Sequence, residues 1–79
     1  MKAKKLFSVI EMFHNSLCSL PLNLLIPNNN PEKWLHEQNS TLTELEKKLK
    51  FHNLNPQAEY YQAKLESVSM VLRNIRENI

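Results

Sequence analysis

Seventy-nine residues with ten basic and eight acidic side chains, a formal charge of +2 and one cysteine make a chain long enough for one small domain, with no internal disulfide to brace it. Neither glycine nor aspartate occurs, which excludes the glycine-rich phosphate loop, the dinucleotide fingerprint, the EF-hand loop and aspartate-based triads together. A net charge this small does not by itself imply nucleic acid.

The chain opens on a basic stretch, Lys2, Lys4 and Lys5, followed by Leu6, Phe7, Val9 and Ile10. A secretory signal would begin this way, but Glu11, His14 and Asn15 interrupt the apolar run and no small-residue cleavage site follows. The competing reading is an amphipathic helix over residues 4–19, because Leu6, Ile10, Phe13, Leu17 and Leu20 recur at helical spacing. Lysines in a first turn oppose the helix dipole, so that helix needs packing to hold it. A basic head on an apolar stripe also suits an anionic membrane surface, although such a stripe ordinarily faces a bundle.

Residues 20–30 form a connector. Pro21 and Pro27 bracket Leu22, Leu24, Leu25 and Ile26, and each proline biases its predecessor away from helix. An extended or single-turn segment across one end of the bundle follows, serving either as a lid on the core or as part of a binding surface. In a chain without glycine the turns fall to Asn and Pro. Asn30 is placed to cap the next helix, with Pro31 at its first position.

The second helix is expected over residues 31–52, in two pieces. Leu35, Leu42, Leu45, Leu49 and His52 keep a seven-residue pattern, while Thr41 and Glu44 have the spacing of a capping box and place a kink near Asn39 and Ser40. Glu44 with Lys48, and Glu46 with Lys50, stand four apart in the favourable order. Trp34 lies beside the seam and reads as a core-edge residue or a recognition anchor. Lys47, Lys48 and Lys50, with only Phe51 as an aromatic neighbour, read as a solvated face rather than a phosphate-binding stripe.

A short hinge then leads into the most regular segment of the chain, a helix over residues 56–78 with Asn55 as cap. Ala58, Tyr61, Leu65, Val68, Leu72, Ile75 and Ile79 alternate spacings of three and four without a break. The short hinge makes this helix antiparallel to the one before it. The fold class read from these elements is all-α, a small three-helix bundle built on an antiparallel helical hairpin.

Little chemistry can be assembled from the remaining residues. His14 and Cys18 are four apart with Glu11 one turn before, a spacing open to a metal half-site or an activated thiol. With nothing to complete such a site, the pair reads as a buried thiol beside a surface histidine. His36 and His52 have no Cys or His cluster around them, so no metal, cofactor or catalytic residue is expected. A lone cysteine fits a reducing compartment, and a cytoplasmic location is expected.

Apolar surface exceeds what three helices readily cover. Tyr60, Met70 and Val71 flank the last helix's seam, and together with Leu24, Leu25 and Trp34 they are the expected partner-binding residues. The stretch Asn55, Pro56, Gln57, Ala58, Glu59, Tyr60, Tyr61, Gln62, Ala63, Lys64, Leu65 resembles the hairpin turn and second helix of type III secretion needle subunits. Leu65, Glu66 and Ser67 are similar to the tail of those subunits' small helical co-chaperones. The resemblance implies a short helical hairpin that polymerises or is held by a chaperone. The function expected from the whole sequence is a non-enzymatic interaction module: an assembly subunit, chaperone, inhibitor, immunity-type or regulatory protein that binds a protein partner or its own copies. A nucleic-acid-binding regulator and a membrane-surface protein are the alternatives.

Overall fold

The computed structural model describes residues 2–79. Four helices follow one another, α1 (Ala3–Cys18), α2 (Leu22–Leu25), α3 (Pro31–Lys50) and α4 (Ala58–Asn78), and no strand occurs among the described residues. The three long helices form a small bundle with principal extents of 39 × 19 × 19 Å. At about 1.5 Å per residue the longest helix spans roughly 31 Å, so the long axis of the molecule is essentially that of α4.

Side-chain neighbours give the topology. Glu32, Leu35 and His36 share a hollow with Arg76, whereas Leu49 and Lys50 share one with Ala58, Glu59 and Gln62, so α3 and α4 are antiparallel. Phe7 stacks on Tyr61 with ring centroids 4.3 Å apart, and Glu11 reaches Lys64 at 3.2 Å one turn further along each helix. α1 and α4 therefore run parallel, and the bundle is up-down-up. α4 is the spine because it packs on both other long helices.

The core is wholly apolar among the described residues. Leu65, Val68, Leu72 and Ile75 of α4 meet Leu6 and Ile10 of α1 and Leu42, Leu45 and Leu49 of α3. The expected seam of α4 is thus buried, apart from Tyr61, which is half-buried, and Ile79, which is exposed beyond the helix end. α1 has no side-chain cap and no acidic residue in its first turn. Its helix rests on the burial of Leu6, Phe7, Ile10 and Leu17, since its lysines oppose the dipole. Leu20, expected on that same face, lies past the helix end and is exposed.

Both Asn-Pro pairs make turns, but by different chemistry. Asn30 takes a left-handed conformation (φ 50°, ψ 61°), and its Oδ1 accepts from Lys33 N at 3.3 Å, with Pro31 opening α3. Glu32 in the first turn and Lys47, Lys48 and Lys50 in the last complement the dipole of α3 at both ends. Asn55 instead folds its side chain back on its own turn: Oδ1 accepts from Gln57 N at 2.9 Å while its carbonyl accepts from Ala58 N at 3.0 Å. That turn delays the helix, so α4 begins at Ala58 rather than at Pro56.

The two-piece expectation for the second helix is overturned. α3 is continuous through Asn39 and Ser40. Asn39 Nδ2 donates to Leu35 O, Thr41 Oγ1 to Glu37 O and Thr43 Oγ1 to Asn39 O, all at 3.0 to 3.1 Å. Back-bonding to the preceding turn uses the side chains a capping box would have needed. The helix also stops at Lys50, and His52 belongs to the hinge, its ring edge-on to Phe7 with centroids 6.5 Å apart.

Candidate interaction surface

The outer face of α4 carries a second stripe at alternating spacings of three and four: Tyr60, Ala63, Ser67, Met70 and Asn74, all exposed. At about 100° per residue it lies roughly opposite the buried seam. No charged residue falls within it. Tyr60 is 57 % and Met70 65 % exposed, and about four helical turns of rise, roughly 21 Å, cover the stripe from end to end.

Tyr60 is held in place from both sides. Its ring meets that of Tyr61 edge-on at 5.0 Å, and Lys64 Nζ sits 4.9 Å from the Tyr60 centroid while reaching Glu11 at 3.2 Å. The Tyr60 side chain foremost, and Glu11 after it, hold the Lys64 ammonium above its ordinary pKa, outweighing partial desolvation. The chain from Tyr60 through Lys64 to Glu11 ties the outer face of α4 to α1.

The six residues expected to bind a partner do not form one patch. Tyr60 and Met70 share the outer face of α4, but Val71 is half-buried against the core. Leu24 is 67 % exposed on α2, where Leu25 packs on the core. Trp34 is a half-buried core-edge residue. Leu24, Leu25 and Trp34 lie at or beside the start of α3, at the opposite end of the bundle from Tyr60 in the first turn of α4. The connector divides: Leu25 and Ile26 close the core, and Leu22 and Leu24 face outward.

Other exposed apolar side chains were not singled out by the sequence pattern. Phe51 and Leu54, at the tip of the hinge, are 86 % and 94 % exposed, and Met12 stands out from α1. Two large apolar residues inside an asparagine-rich turn are the signal that would have marked the hinge. Beside it a groove of about 690 Å³ opens between α1 and the hinge, lined by Lys4, Phe7, Glu11, Met12, Asn55 and Tyr61 among others.

The His14 and Cys18 pair does not make a site. Cys18 is exposed rather than buried: it closes the last turn of α1, where its neighbour Leu17 is the residue that enters the core. Partial desolvation still pushes its thiol pKa up, against the opposing effect of Lys64. His14 Nδ1 lies 3.4 Å from Asn15 Oδ1. Among the described residues no group of three or more His, Cys, Asp or Glu side chains is placed to hold a metal ion, and no helix is long and apolar enough to cross a membrane. Of the expected ion pairs on α3, Lys48 meets Glu44 at 3.8 Å. Comparison with protein-family models, curated proteins and solved structures finds no match for this chain.

Proposed function

We propose that the protein is a non-enzymatic helical interaction module whose docking face is the outer side of α4. The observation that carries this reading is the second stripe, Tyr60, Ala63, Ser67, Met70 and Asn74, exposed and free of charge on the helix that also forms the spine of the core. Alternating spacings of three and four present a seam to another helix, and the small residues Ala63 and Ser67 between two large ones allow its backbone to come close. The buried seam on the reverse holds α4 rigid, so docking does not have to order it. An assembly subunit, or one kept by a chaperone until it assembles, suits a hairpin with such a face, in keeping with the likeness to secretion needle subunits.

Light scattering coupled to gel filtration over a concentration series tests this. The wild-type chain is expected to self-associate or to retain a helical partner from host lysate. The double variant Tyr60→Ser, Met70→Gln is expected to lose that association with helicity intact, since neither side chain is in the core. A wild-type chain that stays monomeric, melts independently of concentration and retains no partner would overturn the reading.

A further inference from the structure

The up-down-up topology brings two basic segments, far apart in sequence, to the same end of the molecule. Lys2, Lys4 and Lys5 start α1, and Lys47, Lys48 and Lys50 finish α3. Phe7 touches the rings of both His52 and Tyr61, and the groove beside α1 runs from Ala3 and Lys4 to Asn55 and Gln57, so the first turn of α1 stands next to the hinge. Six of the ten basic residues are gathered there. The acidic residues at this end are Glu44, Glu46 and Glu59, and Glu44 is taken up by Lys48 at 3.8 Å. The rest of the chain carries four basic residues against five glutamates. The molecule is therefore polarised along its 39 Å axis, basic at the hinge end and slightly acidic elsewhere.

From the middle of this basic end project Phe51 and Leu54, the two most exposed large apolar side chains of the described residues. Neither packs on the core. Each keeps its apolar surface in water in the free protein, and neither has to leave a packed position to be buried elsewhere.

We propose that the hinge end docks onto an anionic lipid bilayer surface, with Phe51 and Leu54 entering the headgroup and acyl boundary and the lysines lying among the headgroups. Attraction of lysines to an anionic leaflet and burial of a few apolar side chains are the two terms of peripheral membrane binding, and both are present on one convex tip. This goes beyond the protein-docking role of α4 and uses a different surface. Nucleic acid fits the same charge less well for three reasons. The basic residues at the tip are all lysines, compact point charges, while Arg73 and Arg76, the side chains suited to bidentate phosphate or base recognition, are on the C-terminal half of α4, and Arg76 sits beside the start of α3 at the far end. Leu54 has no face for a base to stack on. A protruding apolar tip enters a bilayer without distorting it, whereas it would hold a rigid polyanion away from the lysines.

The test is co-sedimentation of the full chain with vesicles of phosphatidylcholine alone and of phosphatidylcholine mixed with phosphatidylserine, each at low and high salt. Binding is expected only to the phosphatidylserine vesicles and is expected to weaken with salt. Lys47→Gln with Lys50→Gln should weaken it by about fivefold per lysine. Phe51→Gln with Leu54→Gln should weaken it more than about tenfold while leaving the melting temperature unchanged, because the lost term is apolar burial that the folded monomer does not use. Phe51→Trp supplies a direct readout, a blue shift of its own emission on adding phosphatidylserine vesicles, measured against the wild-type signal from Trp34. Failure of the wild-type chain to sediment with those vesicles would overturn the proposal. So would binding that ignores the Phe51 and Leu54 substitutions, or that a DNA duplex competes away, which would assign the basic end to nucleic acid. The Tyr60→Ser, Met70→Gln variant is carried alongside. Its loss of self-association bears on α4 alone, and its vesicle binding on the hinge alone, so either reading can fail without the other.

Discussion

Replacing Leu65 by Asp probes the spine at a position that is almost fully enclosed. Leu65 is 1 % exposed and lies between Val68 and Tyr61 on the buried face of α4. Three costs fall together on the variant. The lost apolar burial is worth about 2 to 3 kcal/mol. The carboxylate has no buried partner, since the core contains no polar side chain, so it folds only as the neutral acid. Protonating a group of ordinary pKa about 3.9 at pH 7 costs about 4 kcal/mol, at about 1.4 kcal/mol per unit. The neutral carboxyl is then left unsatisfied, at about 1 to 3 kcal/mol. The total, about 8 kcal/mol, is comparable with the whole stability of a chain of this length, about 4 to 12 kcal/mol. The variant is expected to be largely unfolded at pH 7. It also has a pH signature. The folded-state pKa of the new group is raised, so the unfolded state releases the proton first as pH rises, and stability falls with pH above about 4. Acidification to that value should return about 4 kcal/mol, relative to the wild type under the same conditions. Leu65→Ala, at about 2 to 5 kcal/mol, should show no such rescue. Urea titrations followed by circular dichroism at both pH values make the comparison, with Glu66→Ala on the exposed side as control. If Leu65→Asp and Glu66→Ala unfold alike, or if acid gives no relative rescue, the reasoning about this face is refuted.

Other consequences can be checked by ordinary means. Asn30→Ala loses both the cap and a residue suited to positive φ, and should cost about 2 kcal/mol by chemical denaturation. Asn30→Gly, which keeps the backbone freedom, should cost measurably less. A double-mutant cycle of Phe7→Leu and Tyr61→Leu should give a coupling of about 0.5 to 1.5 kcal/mol, because the rings are stacked at 4.3 Å; no coupling would mean that α1 and α4 are not aligned as described. The raised pKa of Lys64 implies stability that is complete below its ordinary value of 10.5 and is lost as pH rises through the higher folded value. Lys64→Met should therefore lower stability near neutrality and flatten the alkaline end of the profile, the difference from the wild type closing as pH rises through the folded value. Cys18 should react fully with a thiol reagent in the native protein, as an exposed group does, yet more slowly at pH 7 than an unhindered thiol, because its pKa is raised.

Periodicity carried most of the architecture. The α4 seam was legible because Ala58, Leu65, Val68, Leu72 and Ile75 are bound to a repeat that only a long helix satisfies. The end of the second helix and the start of the third were less so, since an Asn-Pro pair serves equally as a helix cap and as a side-chain turn, and the choice depends on where the next helix packs. The Thr41 and Glu44 spacing failed for a similar reason: a threonine hydroxyl can donate to the carbonyl four residues back as readily as it caps, and burial of Leu35 before the expected break and Leu42 after it favours the unbroken helix. Phe7, though part of the opening apolar run, lies outside the expected face because it falls one place off the Leu6 and Ile10 line. Packing between parallel α1 and α4 widens the buried stripe enough to include it.

The polarity of the molecule follows from a count that no local reading contains. With an odd number of long helices, the start of the first and the connection between the second and third are necessarily at one end. The connection between the first and second and the close of the third are at the other. Lys2, Lys4 and Lys5 read alone are an unfavourable helix start, and Lys47, Lys48 and Lys50 read alone are a favourable helix finish, so their electrostatic effects on their own helices are opposite in sign. Only topology places both around the hinge. The same count puts Arg76 with Glu32 and His36 at the far end, beside the connector that bears Leu22 and Leu24. A further long helix inserted between α1 and α3 would keep every heptad intact and disperse the basic end. Joining the first helix by a long flexible linker to the C-terminal side of α4, so that it re-docks in the same place, would preserve the charge distribution despite the changed chain order. Vesicle binding should survive that permutation if it depends on the assembled end, and should be lost on it if the N-terminal lysines act as a free tail.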